Sequence, residues 1–187
     1  MTPMPWLRKS TSEPLTVAMS GIKLADRVLV VGASDPTLIA RLAIKAGLTG
    51  HACAVDTDET RVAQTAQAVE REGALVESAT APLTALPYEA ATFDVVVLRD
   101  ALGSAAESER QGILAQTLRV LRPGGRAVVI ETSARSGLGG LVSRPVNTEF
   151  LSAGGPAPLL TTVGFAAVRT LAEREGLVFV EGVKRNA

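Results

Sequence analysis

Short aliphatic runs recur along this chain, and most stop at a glycine or an acidic residue just before a helix-start signal. Arg27-Val-Leu-Val-Val-Gly32 is the first. Ala52-Cys-Ala-Val55, ending at Asp56, is the second, and Ala74 to Glu77 is a short third. Phe93-Asp-Val-Val-Val-Leu98 and Arg126-Ala-Val-Val-Ile-Glu131 are the fourth and fifth. Runs of this length with little polar alternation are strands covered on both faces. The segments between them have helical period. Ser34-Asp35-Pro36 supplies a capping side chain and then a first-turn proline. Leu38, Ile39, Leu42, Ala43 and Ala46 follow at helical spacing, and Gly47 fits the stop. Glu59 to Arg71 reads as a helix with Val62, Ala66 and Val69 inward. Ser108 to Leu121 reads as another, stopped by Pro123-Gly124-Gly125. Strands alternating with helices dictate an α/β fold: a parallel sheet, right-handed crossovers and helices on both faces.

The end of the chain departs from that rhythm. Phe165 to Ala172 and Leu177 to Val183 read as two further strands, joined by a tight turn at Glu173 to Gly176. That link is too short for a parallel crossover, so the pair is an antiparallel hairpin. The expected sheet has seven strands and is mostly parallel. Residues 132–158 are rich in Gly, Ser and Pro and read as one long loop, with a short helix closing over Leu159 to Val163. Before the first strand, Met1 to Pro14 reads as an arm carrying Trp6, and Leu15 to Gly21 as a short helix. The organisation is thus an arm over 1–25 and one domain over 26–187.

Composition bounds the function. The 187 residues suit one domain. Hydrophobic residues make up 47% and aromatics 3%, so Ala, Val, Leu and Ile must build the core. Lys plus Arg equals Asp plus Glu at 19 each, so no global field draws nucleic acid or an anionic membrane. No apolar run is long enough to span a bilayer, and the N-terminus lacks a basic segment followed by an apolar core. Cys53 is the single cysteine, which fits a reducing, cytoplasmic setting. It reads as a core residue. His51 is the single histidine and falls at the sheet end away from the expected site. No Ser/His/Asp set can be assembled, and no His/Cys/Asp cluster shows metal-ligand spacing. The expectation is no metal and no assignable catalytic residue.

Several segments resemble one known family. Leu118-Arg-Val-Leu-Arg-Pro-Gly-Gly-Arg126 before a Val/Ile strand is similar to the "R-V-L-K-P-G-G-R" turn of class I S-adenosylmethionine (SAM)-dependent methyltransferases. Leu86-Pro87-Tyr88 before Phe93-Asp-Val-Val-Val97 resembles their "L-P-F…F-D-V-V" segment. Gly164-Phe165 before the final hairpin is similar to their "A-G-F". The resemblance runs from about Asp26 to Lys184, and the nearest subgroup is the set similar to quinone-biosynthesis methyltransferases. It implies a Rossmann-like sandwich with a cofactor site at the C-terminal ends of the first four strands, in agreement with the rule for open α/β sheets.

Carried over by position, the resemblance implies that Gly32, Ala33, Ser34 and Asp35 approach the methionine part of SAM. Asp56 takes the ribose hydroxyls, and Thr57 lies beside adenine. Thr80 to Leu83 form the other side of the adenine pocket. Arg99 falls near the methionine tail; Asp100 and Tyr88 fall on the substrate side. Each has a plainer alternative: a helix N-cap for Asp56, a turn for Gly32, a surface ion pair for Arg99 and Asp100, core packing for Tyr88. The family loop Asp/Glu-x-Gly-x-Gly-x-Gly is here Val30-Val31-Gly32-Ala33-Ser34-Asp35-Pro36, so only its first glycine remains. Asp35 either replaces the missing acid or repels the SAM carboxylate. The acid after the third strand has no counterpart in Ala79, Thr80 or Ala81. The implied activity is methyl transfer from SAM to a small molecule, leaving S-adenosylhomocysteine (SAH). The altered loop keeps a second reading open: a methyltransferase-like binding or regulatory module. A nicotinamide-dinucleotide enzyme is disfavoured, because no G-x-G-x-x-G follows the first strand. Either the arm and the long loop cover the site or a partner subunit does, and a homodimer through the final strands stays open.

Overall fold

The computed structural model describes residues 13–133 and 147–186. The arm around Trp6 and residues 134–146 of the Gly/Ser/Pro-rich segment lie outside them. In chain order the elements are α1 (Leu15–Ser20), β1 (Arg27–Val31), α2 (Pro36–Ala46), β2 (His51–Asp56), α3 (Glu59–Glu72), β3 (Glu77–Thr80) and β4 (Phe93–Arg99). There follow α4 (Ala101–Ser104), α5 (Glu107–Val120), β5 (Leu121–Thr132), α6 (Thr148–Ser152), α7 (Pro156–Val163), β6 (Ala166–Arg174) and β7 (Leu177–Val183). The seven strands form one sheet in the order β3-β2-β1-β4-β5-β7-β6. Strands β1 to β5 are parallel, and β7 runs antiparallel to both β5 and β6. The expected architecture is therefore the observed one.

Each sheet face has its own core. On one, Leu29, Val31, Cys53, Val55, Phe93 and Leu98 pack beneath Ile113 and Leu114 of α5 and Leu160 of α7. On the other, Val28, Val30, Ala54, Val95 and Val97 pack against Leu38, Ile39 and Leu42 of α2. Alternate residues of each central strand feed opposite cores, which explains why these strands lack polar positions. Sheet order reverses between β1 and β4, so the loops after β1 and β4 diverge and leave a crevice at that edge.

Several local expectations need correction. The third strand is Glu77–Thr80, three residues later than its apolar content suggests. Ala74 and Val76 instead pack sideways against the α2-side core, and β3 is an edge strand that needs little apolar content. In α3 the buried side is Thr65, Ala68 and Val69, while Ala66 is exposed. Small side chains contribute too little periodic signal to fix that rotation. The Gly/Ser/Pro-rich segment is not one loop to residue 158, because α6 and the start of α7 lie within it. Asn147 caps α6 through Phe150 N–H, 2.9 Å away, and Pro156 opens α7.

Pro123-Gly124-Gly125 does not end α5, which stops at Val120. It bulges out of β5, whose register with β4 jumps from Phe93↔Leu121 to Val95↔Arg126. The bulge is stitched to the chain end: Gly124 N–H donates to Lys184 C=O at 3.0 Å, and Lys184 N–H to Gly125 C=O at 2.8 Å. The hairpin strand β6 runs on to Arg174, so the turn is only Glu175-Gly176, with φ of 55° and 71°. Two successive positive φ values make the type I′ turn that suits a right-twisted hairpin.

Candidate functional site

The crevice at the β1/β4 switch point is built from three loops. Gly32 follows β1 at φ 90° and donates its N–H to Val55 C=O at 2.9 Å. A Cβ on Gly32 would lie 2.6 Å from the carbonyl oxygen of Arg99. Only glycine lets the ends of β1 and β4 approach this closely, and that approach leaves backbone as the floor of the crevice.

Asp56 closes β2 and is 2% exposed. Its Oδ2 accepts from Ala33 N–H at 2.7 Å and its Oδ1 from Asp58 N–H at 2.9 Å. Arg61 Nη1 stands 3.6 Å from Oδ2. One carboxylate therefore ties the β1 loop to the β2 loop. The N-cap of α3 is Asp58, through Thr60 N–H at 2.8 Å, which removes the plainer reading of Asp56.

After β4, Asp100 adopts the left-handed conformation at φ 51°. Its Oδ1 accepts from Thr132 N–H at 2.7 Å and its Oδ2 from the Thr132 hydroxyl at 3.1 Å. Arg99 is 7% exposed. Its Nη1 lies 2.6 Å from Asp100 Oδ2 and donates to Thr132 Oγ1 at 3.3 Å. Its Nε has no partner among the described residues. Glu131, buried at the end of β5, accepts from the first N–H groups of α4, Leu102 at 3.1 Å and Gly103 at 3.2 Å. Burial pushes its carboxyl up to about 7, and the charge of Asp100 adds to that. The two N–H groups and Arg99 oppose it. The α4 turn is also held from outside, by Asn147 on Gly103 C=O at 3.0 Å and Arg110 on Leu102 C=O at 3.0 Å.

These loops enclose a cavity of about 190 Å³. Of the residues singled out in the sequence, Gly32, Ser34, Asp56, Thr57, Leu83, Arg99 and Asp100 line it. Ala33 does not: its side chain is buried in the α2-side core. Asp35 caps α2 through Leu38 N–H at 3.0 Å and turns away from the crevice. Thr80 is exposed at the end of β3, and the wall begins at Pro82. Tyr88 packs edge-on against Phe93, ring centroids 5.2 Å apart, with its hydroxyl 3.4 Å from Ala54 C=O. Burial raises its hydroxyl pKa well above the ordinary value. Sequence reasoning missed Arg61, whose only signal is its place on the first turn after Asp56. It also missed the wall formed by Ala105, between α4 and α5, and by Glu109 and Ile113 of α5, whose i, i+4 spacing is common to any helix face.

A larger cavity, about 520 Å³, opens at the other end of the sheet between α2, α3 and the starts of β2 and β3. Its lining is mostly aliphatic and glycine, so chemistry and not volume selects the smaller crevice. The expectation that no ligand cluster exists needs correction. His51, Cys53 and Glu77 place their side-chain donor atoms within 4.8 Å of one another. Sequence spacing hid the set because Glu77 arrives from the neighbouring parallel strand, opposite Cys53.

A family model described as a methyltransferase domain matches residues 28–125, just over half of the chain. The chain belongs to the methyltransferase domain family. The matched span contains β1 from its second residue, all of β2 to β4 and every crevice-lining residue named above. The ubiquinone/menaquinone biosynthesis C-methyltransferase UbiE of Escherichia fergusonii is 30% identical over 120 residues, 63% of this chain and 47% of that protein. Its counterpart in Teredinibacter turnerae is 31% identical over the same shares. The chain thus spans about half the length of the curated relatives it matches. Among solved structures, a SAM-dependent methyltransferase from Aquifex aeolicus superposes with a TM-score of 0.71 at 20% identity, covering 90% of this chain and 87% of that one. The [4+2]-cyclase SpnF superposes at 0.67 with 16% identity, covering 92% and 79%. These likenesses establish the class I methyltransferase fold, and the cyclase is a reminder that a fold does not fix a reaction.

Proposed function

We propose that this chain binds SAM in the β1/β4 crevice and transfers its methyl group to a small-molecule acceptor. The observation that carries the reading is Asp56: a carboxylate 2% exposed, fixed by two backbone N–H groups, on the wall of the crevice. A carboxylate offers about four lone-pair positions. The N–H groups use one on each oxygen, which leaves one on each for the two ribose hydroxyls. Arg99 fits the methionine carboxylate, because its buried Nε has no partner among the described residues. Gly32 offers backbone to the methionine part, while Thr57 and Leu83 bracket the adenine. Ala33 contributes through its N–H, and Asp35 acts only by holding α2.

Bound there, SAM supplies a methyl group already activated by its sulfonium. What remains for the chain is alignment, exclusion of water and, for a protonated nucleophile, a proton acceptor. Asp100 is the carboxylate on the acceptor side of the crevice, held rigid by Thr132 and Arg99. Glu131 holds the α4 turn from beneath. The proposal keeps the chain in a reducing, cytoplasmic setting. Among the described residues no helix is long and apolar enough to cross a membrane.

The experiment is turnover. Incubation with SAM and a panel of phenols, quinols, amines and thiols should yield acceptor-dependent SAH by mass spectrometry, abolished by Asp56→Ala. Binding of SAM with no SAH from any acceptor class would favour the alternative of a non-catalytic binding module. One observation speaks for that alternative. The cavity of about 190 Å³ is below the ~300–1,000 Å³ common for ligand sites. If that alternative holds, Pro36→Gly, which loosens the start of α2, should raise SAM affinity.

A further inference from the structure

The only histidine and the only cysteine in 187 residues touch each other. His51 and Cys53 are two apart on β2, so their side chains share a face. His51 Nε2 lies 3.3 Å from Cys53 Sγ. Glu77 sits opposite Cys53 on β3, with Oε2 3.4 Å from the same His51 nitrogen. We propose that His51, Cys53 and Glu77 form a binding site for a borderline divalent transition-metal ion of the Zn²⁺ class, separate from the cofactor crevice.

The geometry supports this choice of ion. Tetrahedral zinc with ordinary bond lengths requires N···S and N···O separations of about 3.6 and about 3.4 Å. Both observed separations are close to those edges, and all three ligand atoms lie within 4.8 Å of one another before any ion pulls them inward. A mixed N, S and O set selects zinc-like ions over magnesium or calcium, which prefer oxygen alone. Access exists, since the side chains of His51 and Glu77 are 36% and 75% exposed while Cys53 is buried. Three protein ligands leave a fourth position for water.

The thiol's proton opposes binding. Burial, with Glu77 adding, pushes Cys53 up to about 11, and Arg27 works the other way. The Tyr88 hydroxyl also interacts with Cys53 and Glu77. An ion at the site displaces that proton, so binding releases it. The consequence is mechanical. Cys53 is three residues, about 10 Å, from Asp56 along β2. An ion there ties edge strand β3 to β2 and steadies the Pro82–Thr84 wall that follows β3.

The test uses the full chain, purified without a histidine tag, and Co²⁺ as the spectroscopic probe. The expected result is a thiolate-to-cobalt charge-transfer band that saturates at one equivalent and is displaced by Zn²⁺, with a rise in Tm. Cys53→Ser should abolish the band. His51→Gln and Glu77→Gln, at partly or fully exposed positions that do not threaten folding, should each weaken binding by at least about tenfold. No band with excess cobalt, or an affinity in the two exposed-ligand variants unchanged from that of the natural protein, would overturn the site. The pair would then be an S–H···N hydrogen bond and nothing more.

Discussion

Replacing Gly32 with alanine tests the crevice floor, because two separate costs can be worked out there. The residue sits at φ 90°, and an L side chain in left-handed backbone costs about 1–2 kcal/mol. The new Cβ would also lie 2.6 Å from Arg99 C=O. Relieving that contact means separating β1 from β4, which are locked by the Val31↔Leu98 register. Overpacking of this kind costs about 1–3 kcal/mol, so the sum is about 2–5 kcal/mol. In a chain of this size each kcal/mol lowers Tm by about 2–4 °C, which puts the expected loss at about 4–20 °C. Gly73→Ala is the control. Its φ is +67°, but nothing lies within 4 Å of its Cβ position, so only the backbone cost remains, about 1–2 kcal/mol. Differential scanning fluorimetry and urea unfolding of both variants read the difference. Gly32→Ala should also weaken SAH binding, while Gly73→Ala should leave it intact. Equal Tm losses, within about 1 °C, would refute the tight β1–β4 approach on which the crevice depends.

Asp56→Asn replaces one acceptor oxygen with an NH₂ group, so the N–H of Ala33 or Asp58 loses its buried partner. Such a loss costs about 1–3 kcal/mol, and SAH affinity should fall about a hundredfold with the loss of charge-assisted bonds to the ribose; an unchanged titration would remove Asp56 from the site. Arg99→Met keeps the stem and removes the charge, so it should weaken SAH more than adenosine, which lacks the carboxylate; equal losses would detach Arg99 from that role. Glu131 binds its proton more tightly in the folded state, with a carboxyl raised from the usual 4.5 to about 7. Its contribution to stability is therefore complete below about 4.5 and is lost as pH rises through about 7, by at most about 3 kcal/mol. Urea midpoints at several pH values should show that decline in the natural protein and a flatter profile in Glu131→Gln.

The sequence carried the architecture because the central strands are aliphatic on both faces and the two helices after β1 and β2 are capped at both ends, by Asp35 and Gly47 on α2 and by Asp58 and Gly73 on α3. Asp35-Pro36 and Gly47 bound α2 where the structure does. What stayed hidden depends on long-range partners. Glu131 reads as the end of a strand, and only the fold puts it under the N–H groups of α4, a turn of four residues with no side-chain cap of its own. Arg99 and Asp100 could be placed after the fourth strand, but their lock to Thr132 of β5 could not. Asp35 is the instructive case. Its position in the loop suggested a replacement acid, yet local capping geometry claims the side chain for α2. The third strand slipped by three residues because apolar Ala74 and Val76 pack against the α2-side core, while the hydrogen-bonded ladder uses Glu77 to Thr80.

The most direct test of the central reading is a calorimetric titration of the protein with SAH, which is stable and carries the ribose, adenine and carboxylate the crevice is proposed to hold. One site is expected, with a dissociation constant in the micromolar range, about −8 kcal/mol. No heat and no thermal shift at millimolar SAH would contradict it. The altered glycine loop would then have closed the site, and the methyltransferase fold would serve this chain for something other than methyl transfer.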